Sequence, residues 1–163
     1  MMQQPSAVIR PYQNSDFDAF AQMVGVCWTE DYKEVLSDNP PVKMCKSMVL
    51  SAADGIMPID LMCIDDSPIG FIMYQIDSPK SDWCQKEGYG CIREMYIRKD
   101  YRKQGYGKIL VAHAENEIKK LAAQHIYLTA DDDNAIAFWQ CIGYFDTGEI
   151  CEANNSNILI KHV

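Results

Sequence analysis

The residues best placed to do chemistry run from Arg98 to Lys108. Arg98, Lys99, Arg102, Lys103 and Lys108 put five cations within eleven positions, and Gly105 and Gly107 bracket Tyr106. Glycines at such spacing let the backbone turn tightly and leave amide N–H groups uncovered by side chains. A helix beginning there adds its unpaired first-turn N–H groups and the positive end of its dipole. The chain as a whole carries a net charge of −8, so this local basicity points to a local anion, and a diphosphate fits the junction. The plainer reading is a glycine-containing loop with a solvated run of charge, because short glycine motifs recur by chance.

The elements around the loop decide between these readings. Cys91-Ile92-Arg93-Glu94-Met95-Tyr96-Ile97 is a strand that runs straight into it. Leu110, Ala114, Ile118 and Leu121 then mark the apolar stripe of a helix, and Ile126-Tyr127-Leu128-Thr129-Ala130 reads as a strand. A right-handed crossover makes the two strands parallel. Asn134 can cap a following helix that runs through Cys141 and stops at Gly143, and two strands close the chain from Tyr144 onward. Before the loop, Ala7–Arg10 forms a short strand ended by Pro11. A helix is expected to follow with Ser15 as its N-cap, then a second helix from Val42 that closes at Gly55. Leu61–Ile64 and Gly70–Ile76 flank an Asp-rich turn as a strand pair. The polar stretch from Asp77 to Gly90 is expected to be a long exposed loop.

Composition sets the class. At 163 residues with 48% hydrophobic and 23% charged residues, the chain is expected to be one globular domain, residues 1–163. No segment nears the run of about 18 apolar residues that spans a bilayer, and Met1-Met2-Gln3-Gln4-Pro5 lacks the features of a secretory leader. A cytoplasmic protein with no membrane partner is the expectation. Seven cysteines without a Cys-x-x-Cys and three histidines at no ligand-like spacing argue against a metal. The thiols are expected to be mostly buried in a reducing compartment. An acidic chain does not present the extended basic surface that nonspecific nucleic-acid binding needs.

Three segments together resemble the GNAT superfamily of CoA-dependent N-acyltransferases. Arg102-Lys103-Gln104-Gly105-Tyr106-Gly107 fits the family's signature of Arg or Gln, two residues, Gly, one residue, Gly or Ala. Glu94-Met95-Tyr96-Ile97 stands where the family's fourth strand precedes that loop, and Asn134-Ala135-Ile136-Ala137-Phe138-Trp139-Gln140-Cys141-Ile142-Gly143-Tyr144 is similar to its late helix. The specific similarity covers residues 91 to 145. It implies an α/β (α+β) fold: one domain with a central mixed, twisted sheet of about six to seven strands, flanked by about four helices and splayed between the fourth and fifth strands.

The resemblance also implies roles. Arg102, Lys103, Gln104, Gly105, Tyr106, Gly107 and Lys108 would bind the pyrophosphate of acetyl-CoA. Met95, Tyr96 and Ile97 would hold the pantetheine arm and polarise the thioester carbonyl through the main chain, with Asn134 on the same arm. The implied reaction is direct attack of a primary amine, on a small molecule or a peptide, upon acetyl-CoA. The acyl group could be acetyl or longer, and the protein a monomer or homodimer.

The sequence departs from the family at the proton-transfer positions. Where many members place a tyrosine as general acid, this chain has Trp139, whose indole donates a hydrogen bond but does not readily deliver a proton. Tyr144, Tyr96 or Tyr106 could substitute. Glu94 is the carboxylate of the fourth strand and a candidate base, beside a surface or capping salt bridge as the alternative. The acceptor side would be drawn from Trp28, Glu30, Asp31, Tyr32, Trp83 and Tyr89. Arg93 fits either an acceptor with a carboxylate or an internal ion pair. A noncatalytic acyl-CoA-binding or regulatory domain of the same fold is the alternative function. A dinucleotide oxidoreductase is disfavoured by the missing third glycine and acidic ribose partner.

Overall fold

The computed structural model describes residues 5–163, so the first four residues of the Met1–Pro5 segment lie outside it. Seven strands and four α-helices follow in the order β1 (Val8–Pro11), α1 (Phe17–Val26), α2 (Val42–Ala53), β2 (Ile59–Ile64), β3 (Ser67–Ile76), β4 (Gly90–Ile97), α3 (Tyr106–Lys120), β5 (His125–Ala130), α4 (Asp133–Cys141), β6 (Phe145–Cys151) and β7 (Ser156–His162). The strand order across the sheet is β1-β2-β3-β4-β5-β7-β6. β4 and β5 run parallel, with Gly90 opposite Ile126 and Cys91 opposite Tyr127, as the intervening helix requires. β7 inserts antiparallel between β5 and β6.

The chain divides into two compact units: residues up to Met73 with Glu94–His113, and Tyr74–Arg93 with Ala114–Val163. In the first, Phe20, Met23, Val24 and Cys27 of α1 and its extension pack with Cys45, Leu61, Phe71, Met73 and Tyr96. Phe71 sits between Phe20, edge-on at 5.2 Å, and Tyr96, stacked at 5.9 Å. β2 and β3 join through Asp65 and Asp66, both with positive φ, the backbone of a two-residue hairpin turn. Gly70 of β3 admits the close approach of β4: a Cβ there would lie 2.5 Å from the Tyr96 carbonyl oxygen and 2.6 Å from Ile97 Cδ1. Arg98 N–H donates to Ile69 O at 2.8 Å, and its Nε donates to Pro68 O at 3.0 Å. The strand end that feeds the basic loop is therefore fixed by backbone contacts.

In the second unit Cys91, Tyr127, Cys151 and Ile158 form a small core against which Trp83, Tyr89 and Ile160 pack.

Several local expectations are corrected. α1 is entered through a 3-10 turn, Asn14–Asp16, rather than capped by Ser15. Asp16 accepts the Gln13 N–H at 2.8 Å and binds Arg10 in a fork at 2.7 and 2.8 Å, which outcompetes a serine cap. α4 is capped by Asp132, whose side chain accepts Ala135 N–H at 3.0 Å, while Asn134 is already helical. The helix does end at Gly143, in the left-handed region with φ 103°. Leu121 lies past the end of α3 and is 61% exposed, so the buried stripe is Leu110, Val111, Ala114 and Ile118.

The stretch from Asp77 to Tyr89 is a loop, ending one residue earlier than expected because Gly90 opens β4, and its first residue is 1% exposed. The Asp77 carboxylate accepts from Gln75 Nε2 at 2.8 Å, Gln85 N–H at 2.9 Å, Lys86 N–H at 3.0 Å and the Tyr127 hydroxyl. A buried carboxylate so surrounded gathers the loop onto the core. Of the cysteines, five are buried and Cys84 and Cys141 are exposed. No helix among the described residues is long and apolar enough to cross a membrane, and no cluster of metal-ligating side chains occurs among them.

Candidate active site

The basic loop is built by two left-handed residues. After a 3-10 turn at Lys99–Tyr101, Arg102 is extended, Lys103 has φ 61° and Gly105 has φ 89°. Ile109 N–H donates to Gly105 O at 3.2 Å, so the first internal bond of α3 closes on Gly105. The amides ahead of it are those of a helix start, aimed outward from exposed Lys103, Gln104 and Gly105. A Cβ on Gly105 would meet nothing within 4 Å, so glycine is required there by φ and not by crowding within the protein. Gln104 Nε2 donates to Asp100 O at 3.0 Å across the loop, and Tyr106 is buried edge-on to Tyr101. Backbone N–H groups left over at a helix start are donors able to meet an anion.

Arg102 supports the loop. Its guanidinium donates to Asp31 at 2.9 and 3.3 Å and to Ile97 O at 2.8 Å, and lies 5.4 Å from the Tyr96 ring centroid. Lys99 pairs with Glu30. The two carboxylates expected among the acceptor-binding residues are therefore turned toward the basic loop. Lys103 and Lys108 remain exposed beside the helix start.

Past α1, residues Cys27–Asp31 form a π-helical turn, with Tyr32 N–H donating to Cys27 O at 3.1 Å. Such wide turns are frequent at functional sites. This one presents Trp28 and Tyr32 with rings edge-on at 5.1 Å. The Tyr32 hydroxyl donates to Glu94 Oε2 at 2.5 Å. The residue is 46% exposed, while its hydroxyl is engaged by the carboxylate. Burial of the hydroxyl, with the Glu94 charge second, pushes the phenol well above its ordinary range and keeps it a donor. The Cys27 thiol beside it is pushed up to about 12, by burial first and by Glu94 second, which makes it a packed hydrophobe rather than a nucleophile. Arg93, Glu94 and Met95 are three consecutive half-buried residues in an otherwise buried strand.

The first unit thus brings together Trp28, Tyr32, Glu94, Met95, Tyr96, Ile97 and the loop Arg102–Lys108. The second unit holds Arg93, Asn134, Trp139 and Tyr144. Trp139 is 8% exposed and packs edge-on between Phe138 at 5.1 Å and Tyr144 at 5.3 Å. The Tyr144 hydroxyl donates to Glu115 Oε1 at 3.0 Å, and Lys161 Nζ pairs with the same carboxylate at 3.1 Å. Burial and the Glu115 charge push this phenol up as well, so its proton is committed to Glu115. Asn134 is exposed in the first turn of α4. Arg93 lies over the Trp83 ring at 5.0 Å.

A family model described as the acetyltransferase (GNAT) family matches residues 17–144. Among solved structures, the chain is similar to PaiA N-acetyltransferase from Thermoplasma acidophilum in complex with coenzyme A, with a TM-score of 0.76 and 17% identity over 97% of this chain and 99% of that one. An acetyltransferase from Thermus thermophilus gives a TM-score of 0.75 at 13% identity, covering 97% of each chain. Ard1 from Thermoplasma volcanium gives 0.66 at 15%, covering 96% and 97%. No curated protein matches the sequence.

Proposed function

The chain belongs to the acetyltransferase (GNAT) family, and from that premise we propose that it transfers an acetyl group from acetyl-CoA to a primary amine of a small molecule or peptide. The observation that carries this reading is the left-handed Lys103–Gly105 turn closing onto the start of α3. Its outward amides, with Lys103 and Lys108 alongside, fit a diphosphate of the kind acetyl-CoA carries. Acetyl-CoA supplies the activated acyl group; the protein supplies position, donors and a proton acceptor.

Each proposed role follows from local chemistry. Arg102, locked to Asp31 and Ile97, shapes the anion seat instead of binding the anion with its own charge. Main-chain groups of Met95 to Ile97 meet charge developing on the acyl oxygen, and such donors lower the barrier because the ground state lacks that charge. Glu94, oriented by Tyr32, takes the proton of the incoming ammonium directly or through water. Trp139 packs the end of α4, and a thiol leaving group tolerates the absence of an acid. Asn134 is the polar group that α4 offers to the pantetheine arm. Seven free thiols suit a reducing, cytoplasmic setting.

A second reading, an acyl-CoA-binding domain without turnover, is favoured by the engagement of Tyr144 with Glu115 and the burial of Trp139. The test is release of free thiol from acetyl-CoA across a panel of amines, beside a calorimetric titration of CoA. Acceptor-dependent thiol supports transfer. Tight CoA binding with no thiol release supports the second reading, and absence of CoA binding removes both.

A further inference from the structure

Three consecutive residues where the π-helical turn ends each engage the segment that runs from β4 into the basic loop. Glu30 pairs with Lys99, Asp31 takes the Arg102 guanidinium in a fork at 2.9 and 3.3 Å, and the Tyr32 hydroxyl donates to Glu94 Oε2 at 2.5 Å. Neighbouring side chains on a regular helix diverge by about 100°. Here the widened turn, closed by Tyr32 N–H on Cys27 O at 3.1 Å and Glu34 N–H on Trp28 O at 2.9 Å, and the left-handed Lys33 at φ 59° accompany their convergence.

All of these residues lie in the first unit. Glu94 and Tyr96 alternate onto one face of β4, and the contacts agree: Tyr32 meets Glu94, and Arg102 lies 5.4 Å from the Tyr96 ring centroid. Arg102 Nε also donates to Ile97 O at 2.8 Å, so one guanidinium joins the strand end, the loop and Asp31.

Stability is a poor account of the arrangement. The Asp31 and Arg102 side chains are 28% and 36% exposed, those of Glu30 and Lys99 46% and 61%, and ion pairs so open to water add little to folding. What the contacts supply is position. Arg102 opens the loop proposed for the diphosphate, Glu94 is the proposed base, and Asp31 stands one peptide bond from the tyrosine that engages Glu94.

Resting on the acetyl-transfer reading, we propose that Asp31 is a positioning residue for both halves of the reaction, holding the cofactor loop through Arg102 and the base through its neighbour Tyr32. One substitution should therefore weaken CoA binding and slow transfer together, whereas Glu94→Gln slows transfer and spares CoA affinity.

The test begins with calorimetric titration of CoA into wild-type protein, Asp31→Ala, Arg102→Ala and the double variant. Each single change is expected to weaken binding about three- to tenfold, and the double about as much as either alone, because the second change removes a contact already broken. Additive effects, unchanged affinity, or tighter binding by an Arg102 released toward the diphosphate each overturn the proposal. By thiol release at saturating acetyl-CoA, Asp31→Ala should lower kcat about three- to tenfold, and Asp31→Glu should restore part of both effects. In a Tyr32→Phe background the same change should leave kcat nearly where Tyr32→Phe alone puts it; an equal fall in both backgrounds overturns the path to the base. A merely structural Asp31 would lower the melting temperature while CoA affinity and kcat of the folded protein stay at wild-type values, which also overturns the proposal. Should Asp31→Ala fail to fold, Asp31→Asn, which keeps the shape and loses the charge, takes its place. Wild-type protein that binds CoA and releases no thiol with any amine fails as a transferase, and the calorimetric cycle then decides the Asp31 to Arg102 coupling alone. Wild-type protein that binds no CoA removes both readings.

Discussion

Tyr32 and Glu94 are 62 positions apart in sequence and joined in the structure by a hydrogen bond of 2.5 Å. The phenol stays protonated because burial and the neighbouring charge both oppose its ionisation. Its donation orients the carboxylate and stabilises the charged form. If Glu94 is the base, Glu94→Gln should lower kcat/KM by about a hundredfold or more. Tyr32→Phe should cost less, roughly three- to tenfold. It should also move the acid limb of the pH profile upward, because a carboxylate that loses a donor holds its proton to higher pH. A packing role alone would lower the melting temperature of Tyr32→Phe and leave the limb in place, so the pH profile of kcat/KM decides between them.

At the scale of elements, the loop before α3 was readable because its determinants are local: glycine spacing, cations and the helix that follows lie within one short stretch. The same held for the Asp65-Asp66 hairpin and the Gly143 stop. What escaped is long-range. Asp31 meets Arg102 across 71 positions and Asp77 meets Tyr127 across 50, and no periodicity marks such pairs. Asn134 is not the cap, because the preceding aspartates compete for it and the one with extended backbone, Asp132 at φ −92° and ψ 132°, takes the place. Gly105 offers the sharpest element-level test. Since a Cβ there meets nothing of the protein within 4 Å, Gly105→Ala should cost only the strain of its left-handed backbone, about 1 kcal/mol. If the diphosphate binds at this loop, Gly105→Glu should fold comparably yet lose CoA affinity, because it adds a negative charge beside the proposed anion. Calorimetry showing wild-type CoA affinity in a folded Gly105→Glu would remove the diphosphate from this loop.

For the whole molecule, buried ionisable groups set opposite limits in pH. On the acid side, Arg10 holds the Asp16 carboxyl below its ordinary value, chiefly through their hydrogen bonds. A depressed folded pKa adds stability that is present above about pH 4 and is lost as pH falls through the folded value. Asp16→Asn should therefore cost about 2 kcal/mol at pH 7 and progressively less toward pH 3. On the alkaline side the sign reverses. A cysteine exposed by unfolding gives up its proton near pH 9, whereas burial pushes folded Cys45 up to about 11 and Cys27 up to about 12. Folded values above the unfolded ones mean stability fully present below about pH 9 and eroded as pH rises beyond it, by about 1.4 kcal/mol per pH unit for each thiol. The buried phenols of Tyr127 and Tyr144, also raised, extend the loss above about pH 10. Urea unfolding under reducing conditions should accordingly give a plateau at neutral pH and a falling limb from about pH 9. Cys45→Ala lowers the plateau by its cavity but should remove about 1.4 kcal/mol per pH unit from the limb. A limb of unchanged slope in that variant would show that Cys45 ionises with equal ease folded and unfolded, against its place in the core of the first unit.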